Sequence, residues 1–203
     1  VLREQILLGL IRPGDRLRQV EIAAELGLST TPVREAFRSL ATEGLVQIDE
    51  HRGVVVRKLT LEECIEMQEL VAVVEPDNLL HAVPLMDEAT LREADGLCRK
   101  MNRADVGNRY ALLNRELHLT LARPSGRHRA VALLAELLTL SALHVPSDST
   151  RLPGRRAQGQ REHRALVDAA RAGDAEGAAR LAYEHCQPIL NLLRGDLARS
   201  RDQ

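Results

Sequence analysis

The sequence predicts a mainly α protein in two parts: three short helices closed by a β-hairpin over residues 1–58, then an antiparallel α-helical bundle over residues 59–203. Three observations predict this. Hydrophobic residues are 44% and charged residues 28% of the chain, the balance of a folded globular protein rather than a disordered one. Aromatic residues are only 1% (Phe37, Tyr110 and Tyr183, with no tryptophan), so the core has to be built from Leu, Ala, Val and Ile. The hydrophobic period also changes near Lys58-Leu59-Thr60, with β-rich runs before it and helical spacing alone after it.

In the first part, Ile6, Leu7 and Leu10 form an apolar helix face that should stop at Arg12-Pro13-Gly14-Asp15. A second helix is expected over about Val20–Leu26, ended by Gly27. Thr31-Pro32 offers an N-cap oxygen followed by a proline at the first helical position, which starts a third helix near Thr31. Gly44 should end it. Beyond lie two β-rich runs, Leu45-Val46-Gln47-Ile48 and Val54-Val55-Val56, around a Glu50-His51-Arg52-Gly53 tip. Together these make a helix-turn-helix with a wing.

The second part opens on a capping box, Thr60-Leu61-Glu62-Glu63. Helical periodicity then fills about 60–82, 88–104, 108–122, 127–145, 160–172 and 175–200. Pro84, Asp105–Gly107, Pro124-Ser125-Gly126, a loop over Pro146–Gly159, and Gly173-Asp174 separate the segments. Pro76 and Pro188 fall inside predicted helices, where each should produce a kink.

Charge and composition bound the function. Twenty-eight basic and 29 acidic residues leave a net charge of -1, so any polyanion site must be a local patch. With so few aromatics, stacking on single strands is excluded as a main function. Cys64, Cys98 and Cys186 are widely spaced without a CxxC pair, which argues against a disulfide framework and for a reducing, cytoplasmic setting. The run from Val131 to Val145 is interrupted by Glu136 and too short for a membrane span. Val1 falls inside an amphipathic pattern, which predicts that further residues precede it.

Ala23, Gly27 and Val33 have helix-turn-helix spacing: a small residue at a helix crossing, a turn glycine, and a branched residue packing back. Arg34 and Arg38 share one face of the third helix, and Thr30 and Thr31 stand at its N-terminus, where such helices meet base edges or phosphates. His51, Arg52, Arg57 and Lys58 crowd the hairpin with no acid among residues 51–58. Residues 1–58 still carry only nine basic against eight acidic side chains, so affinity has to come from placement and from dimerisation.

Ile6–Gly14 and the run Glu21-Ile22-Ala23-Ala24-Glu25-Leu26-Gly27-Leu28-Ser29-Thr30-Thr31-Pro32-Val33-Arg34-Glu35-Ala36-Phe37 resemble the GntR family of bacterial winged-helix regulators. Gly44-Leu45-Val46 and Arg52-Gly53 extend the likeness. The resemblance implies a homodimer on a short pseudo-palindromic double-stranded DNA operator, with Thr31 and Arg34 in the major groove and His51, Arg52 and Gly53 entering the minor groove. Thr30 stands where the family usually has arginine, so one contact is absent or altered.

Asn114 and His118 are four apart, on one helix face, as a bundle presents two donors to an ion. His163 lies on the next-to-last helix and His185 on the last, with the reversal at Gly173-Asp174 between them, so three imidazoles and one amide oxygen can converge. That donor set suits Zn²⁺ or Ni²⁺; the alternative is a hydrogen-bonded core without metal. The layout resembles the FCD effector domain of the FadR subfamily, over most of residues 60–200. Leu117 replaces its frequent phenylalanine, and Val71 stands at a place often held by arginine. The resemblance implies a repressor released by a small organic acid or sugar acid bound beside the metal. Three neutral imidazoles and an amide would leave the ion its full charge, attractive to an anion. Two other functions compete. A His₃ zinc site could serve a hydrolase, but no general base is evident in the sequence, and a dimeric interaction module would use the arginines only as a solvated face.

Overall fold

The computed structural model describes residues 1–49, 53–104, 108–144 and 154–201. The chain divides into two units, Val1–Leu59 and Thr60–Gln203.

The first unit runs α1 (Leu2–Leu7), β1 (Arg16–Leu17), α2 (Gln19–Leu26), α3 (Thr30–Thr42), β2 (Val46–Asp49) and β3 (Gly53–Val56). Helix α1 is shorter than its apolar spacing suggests. It ends at Leu7, Gly9 turns the chain at φ 72°, and Leu10 is left 72% exposed rather than buried beside Ile6. The turn at Arg12–Asp15 forms as expected: the Arg12 N–H donates to Asp15 Oδ2 at 2.8 Å, and the Gly14 N–H donates to the Val56 carbonyl at 2.9 Å. That second bond delivers the chain into β1, a strand too short to show in the hydrophobic pattern. β1 pairs with β3, giving an antiparallel sheet of order β1-β3-β2.

Gly27, left-handed at φ 65°, ends α2. Helix α3 begins one residue before the expected start: Ser29 is its N-cap, and Pro32 occupies the third helical position, where an N–H would have no intrahelical partner. At its other end the Gly44 N–H reaches the Ala41 carbonyl and the Leu45 N–H the Leu40 carbonyl, the paired closure that a left-handed glycine permits. Val33, Phe37 and Leu40 pack the buried face of α3 into a core with Ile6, Ile22, Leu45 and Val56.

The second unit is α-helical among the described residues: α4 (Leu61–Ala82), α5 (Glu88–Arg103), α6 (Asn108–Ala122), α7 (His128–His144), α8 (Arg155–Arg171) and α9 (Ala175–Arg201). Short 3₁₀ turns over Val83–Leu85 and Arg123–Ser125 hold Pro84 and Pro124. The capping box is present: the Glu63 N–H donates to Thr60 Oγ1 at 3.2 Å and the Thr60 N–H to Glu63 Oε2 at 2.8 Å. Pro76 and Pro188 lie inside α4 and α9. Helix α8 starts at Arg155, so its first turn takes up residues expected to be loop. Helix α4 packs along α9 and α7, α5 against α6 and α8, and α8 against α9. Leu79, Leu97, Leu117, Leu121, Leu166 and Val167 form the centre of the apolar core. The reversal between α8 and α9 rests on Gly173 at φ 72° and on Asp174, whose Oδ1 accepts the Gly177 N–H at 2.8 Å. No helix among the described residues is long and apolar enough to cross a membrane.

Candidate nucleic-acid face and histidine centre

The candidate reading face of the first unit is the outer surface of α3. Thr30, Thr31, Arg34 and Arg38 are all exposed on it, while Val33 and Phe37 hold the opposite face in the core. Gln19 at the start of α2 donates from Nε2 to the Thr30 carbonyl at 2.9 Å, which fixes the start of α3 against α2. Arg38 pairs with Glu35 at 3.0 Å, so part of its charge is neutralised within the helix. Of the expected wing residues, His51 and Arg52 lie outside the described residues. Gly53 opens β3 at φ 77°, with the Arg16 guanidinium 3.8 Å from where a Cβ would stand. Arg16 is a cation the sequence pattern did not single out, because β1 itself was not legible.

The second unit brings His118 of α6, His163 of α8 and His185 of α9 together, with one ring nitrogen from each within 4.8 Å of the others. The Nε2 atoms of His163 and His185 are 3.2 Å apart. Neighbouring donors on one ion at about 2.0–2.1 Å would lie roughly 3–3.4 Å apart, so this spacing fits a shared ion as it stands. Asn114 lines the same cavity one turn before His118.

Two carboxylates orient the rings. His118 donates from Nδ1 to Glu75 Oε1 at 2.5 Å, and His185 from Nδ1 to Glu162 Oε2 at 2.6 Å. Each bond selects the tautomer that leaves an Nε2 lone pair for a ligand, the outer-shell arrangement of metal-binding histidines. This corrects the expectation of an ion left with its full charge: two acids sit directly behind the imidazoles. Neither carboxylate is thereby a free general base. Glu75 is 1% and His118 2% exposed, so the pair is enclosed in α4 and α6.

Arg155, in the first turn of α8, donates from Nη1 to Glu162 Oε2 at 2.6 Å and from Nη2 to the His185 carbonyl at 2.9 Å. Burial would raise the Glu162 pKa, but the hydrogen bonds from His185 and Arg155 prevail and hold it at about 2. Burial lowers His163 well below the usual imidazole range, helped by the nearby His185, His118 and Arg155. His185 is also lowered, by burial first, against the raising effect of Glu162. Among the described residues, His163 Nδ1 is buried without a hydrogen-bond partner. His163 and His185 are therefore favoured as neutral imidazoles, the form that binds metal.

A cavity of about 120 Å³ adjoins this cluster. His118, His185, Asn114, Arg155, Arg156 and Tyr110 are among its lining residues. Arg156 lies over the Tyr110 ring at 5.4 Å and donates to the Met101 and Ala104 carbonyls at the end of α5. Both arginines were missed in the sequence because residues 146–159 read as loop. Glu162 carries a sequence signal, its position beside His163, whereas Glu75 shares the buried face of α4 with the polar Gln68 and Asn78 and does not stand out.

Comparison with known proteins agrees with both units. Residues 1–56 match the model of the gntR family of bacterial regulatory proteins, and residues 66–188 match the FCD domain. A probable D-xylose utilization operon transcriptional repressor of Paenarthrobacter nicotinovorans is 31% identical over 197 residues, covering 92% of this chain and 82% of that protein. The repressor RspR of Escherichia coli K12 is 41% identical over a shorter stretch of 63 residues, 31% of this chain and 28% of that protein. Among solved structures, a GntR transcriptional regulator from Rhodococcus sp. RHA1 superposes with a TM-score of 0.81 at 28% identity, covering 96% of this chain and 94% of that one. E. coli McbR/YncC shares the fold, with a TM-score of 0.80 at 22% identity over 97% of this chain and 94% of that one. These matches, an exposed reading helix and a C-terminal helical domain identify the chain as a member of the GntR family, a DNA-binding transcriptional regulator with an FCD domain rather than an enzyme.

Proposed function

We propose that the protein is a homodimeric repressor released from a pseudo-palindromic operator by a small organic acid, which binds beside one divalent ion, Zn²⁺ or Ni²⁺, held by His118, His163 and His185 with Asn114. The observation that carries the metal is the 3.2 Å approach of two Nε2 atoms, with His118 completing the cluster and carboxylates behind two of the three rings. The donor set is all nitrogen and amide oxygen, which suits a borderline ion over a hard one. The ion would supply a Lewis-acidic positive centre for an anion. What the chain's own residues contribute is orientation of the rings by Glu75 and Glu162, and a positive cavity wall from Arg155 and Arg156. The relative named for a D-xylose utilization operon makes sugar-derived acids the first class to try. Repression is favoured over activation by the repressors among the relatives.

Elemental analysis of protein purified without chelator or His-tag tests the metal. One divalent ion per chain is expected in the wild type and a loss of most of it in His118→Ala/His163→Ala. Equal and negligible metal in both leaves only a hydrogen-bonded core.

A further inference from the structure

We infer that Gln68 and Ser141 determine the effector's specificity by reading a neutral hydroxyl at the end of the acid remote from its carboxylate; this rests on the acid reading above. Gln68 is 5% exposed and still lines the cavity, as does Ser141. Gln68 donates from Nε2 to Ser141 Oγ at 2.6 Å. That bond leaves Gln68 Oε1 to accept and the Ser141 hydroxyl hydrogen to donate, so the pair matches one hydroxyl, which both gives and takes a hydrogen bond.

Charge in the cavity lining comes from particular helices. The cationic lining residues, Arg155 and Arg156, both come from the first turn of α8, and Arg155 bonds the His185 backbone. The lining residues of α4 and α7 are Gln68, Val71, Glu75, Leu138, Ser141 and Ala142, with no cation among them. The proposed ion, with Arg155 bonded to the His185 backbone, marks the histidine end as the place for the carboxylate, and Gln68 with Ser141 offers an uncharged hydrogen-bonding pair away from it. On α4 the distance between the two ends is set by the helix: Gln68 and Glu75 are seven residues apart on one face, about 10 Å along the axis, a span for an acid of about five or six carbons. Val71 and Leu138 give its methylenes an apolar wall. An acid lacking the hydroxyl would leave Gln68 Oε1 and the Ser141 hydroxyl hydrogen unmatched by the ligand, and sites of that kind discriminate strongly against the deoxy analogue.

Isothermal titration of the nickel-loaded protein with hexanoate and with 6-hydroxyhexanoate isolates the hydroxyl, since the two differ in nothing else. The hydroxy acid should bind at least about tenfold more tightly. Gln68→Leu and Ser141→Ala should each bring that ratio to within about twofold while hexanoate binding changes little. If the leucine variant fails to fold, Ser141→Ala reads the same quantity. Equal binding of both acids to the wild type, or a ratio that survives Ser141→Ala in a folded protein, overturns the inference alone. Failure of both acids to bind overturns the acid reading and the inference with it.

Discussion

Arg34 stands one turn into α3 on its solvent face, where an arginine can present two donors to a guanine edge. Arg34→Ala should weaken operator binding by about 1–3 kcal/mol and relax sequence preference, whereas Arg52→Ala, a position that the sequence alone assigns to a wing, should lower specific and non-specific binding alike. Anisotropy titrations with the operator and a scrambled duplex separate the two, and an Arg34→Ala protein with unchanged selectivity would refute the assignment. The buried histidines make a second residue-level prediction. His163 and His185 have folded pKa values lowered by burial, so below the ordinary imidazole value of about 6.5 the unfolded chain binds more protons than the folded one. The metal-free protein should therefore hold its full stability above that value and lose it as pH falls below it. Glu162, held at about 2, stays ionised throughout the range. Urea midpoints at pH 7.5 and 5.5 should fall in that order; a midpoint that rises on acidification would contradict the buried-neutral reading. Spacing could bring the proposed ligands forward because helical period pairs Asn114 with His118 and the reversal at Gly173-Asp174 pairs His163 with His185; that the three histidines meet is decided by packing. It could not bring Glu75, Arg155 and Gln68 forward, since what makes them part of the site is contact between helices far apart in sequence.

Helix boundaries were legible where a side chain or a glycine enforces them. The Thr60–Glu63 box, Gly27, Gly44 and Gly173-Asp174 each satisfy backbone groups locally, so sequence alone locates them. Two elements were not. β1 is two residues long and exists through its pairing with β3, and the first turn of α8 forms where Arg155 and Arg156 find partners on α9 and at the end of α5. Both are decided by tertiary contacts that no local pattern encodes. The capping box offers an element-scale test: Thr60→Ala removes the acceptor for the Glu63 N–H and should cost about 1 kcal/mol, within the usual range for a lost cap. Denaturant unfolding monitored by far-UV circular dichroism reads it, and no change in midpoint would mean the cap contributes nothing net.

At the scale of the molecule, a DNA-binding unit with nine basic and eight acidic residues in 1–58 has little general attraction for a polyanion. Two copies reading two half-sites would supply what one lacks, so the proposed homodimer should give twice the mass of the chain by light scattering at micromolar concentration. The proposed metal would bind only the assembled site and should raise thermal stability by mass action. Acid and operator, if they favour different states of one protein, must weaken each other by the same factor. The most direct measurement is operator affinity, by anisotropy on a duplex from the promoter of the protein's own gene, for metal-loaded protein with and without a saturating acid chosen by thermal shift. A weakening of about five- to 150-fold, or 1–3 kcal/mol of coupling, is the predicted result. An affinity unchanged within twofold by every acid that binds, or a protein that no acid binds, would contradict it.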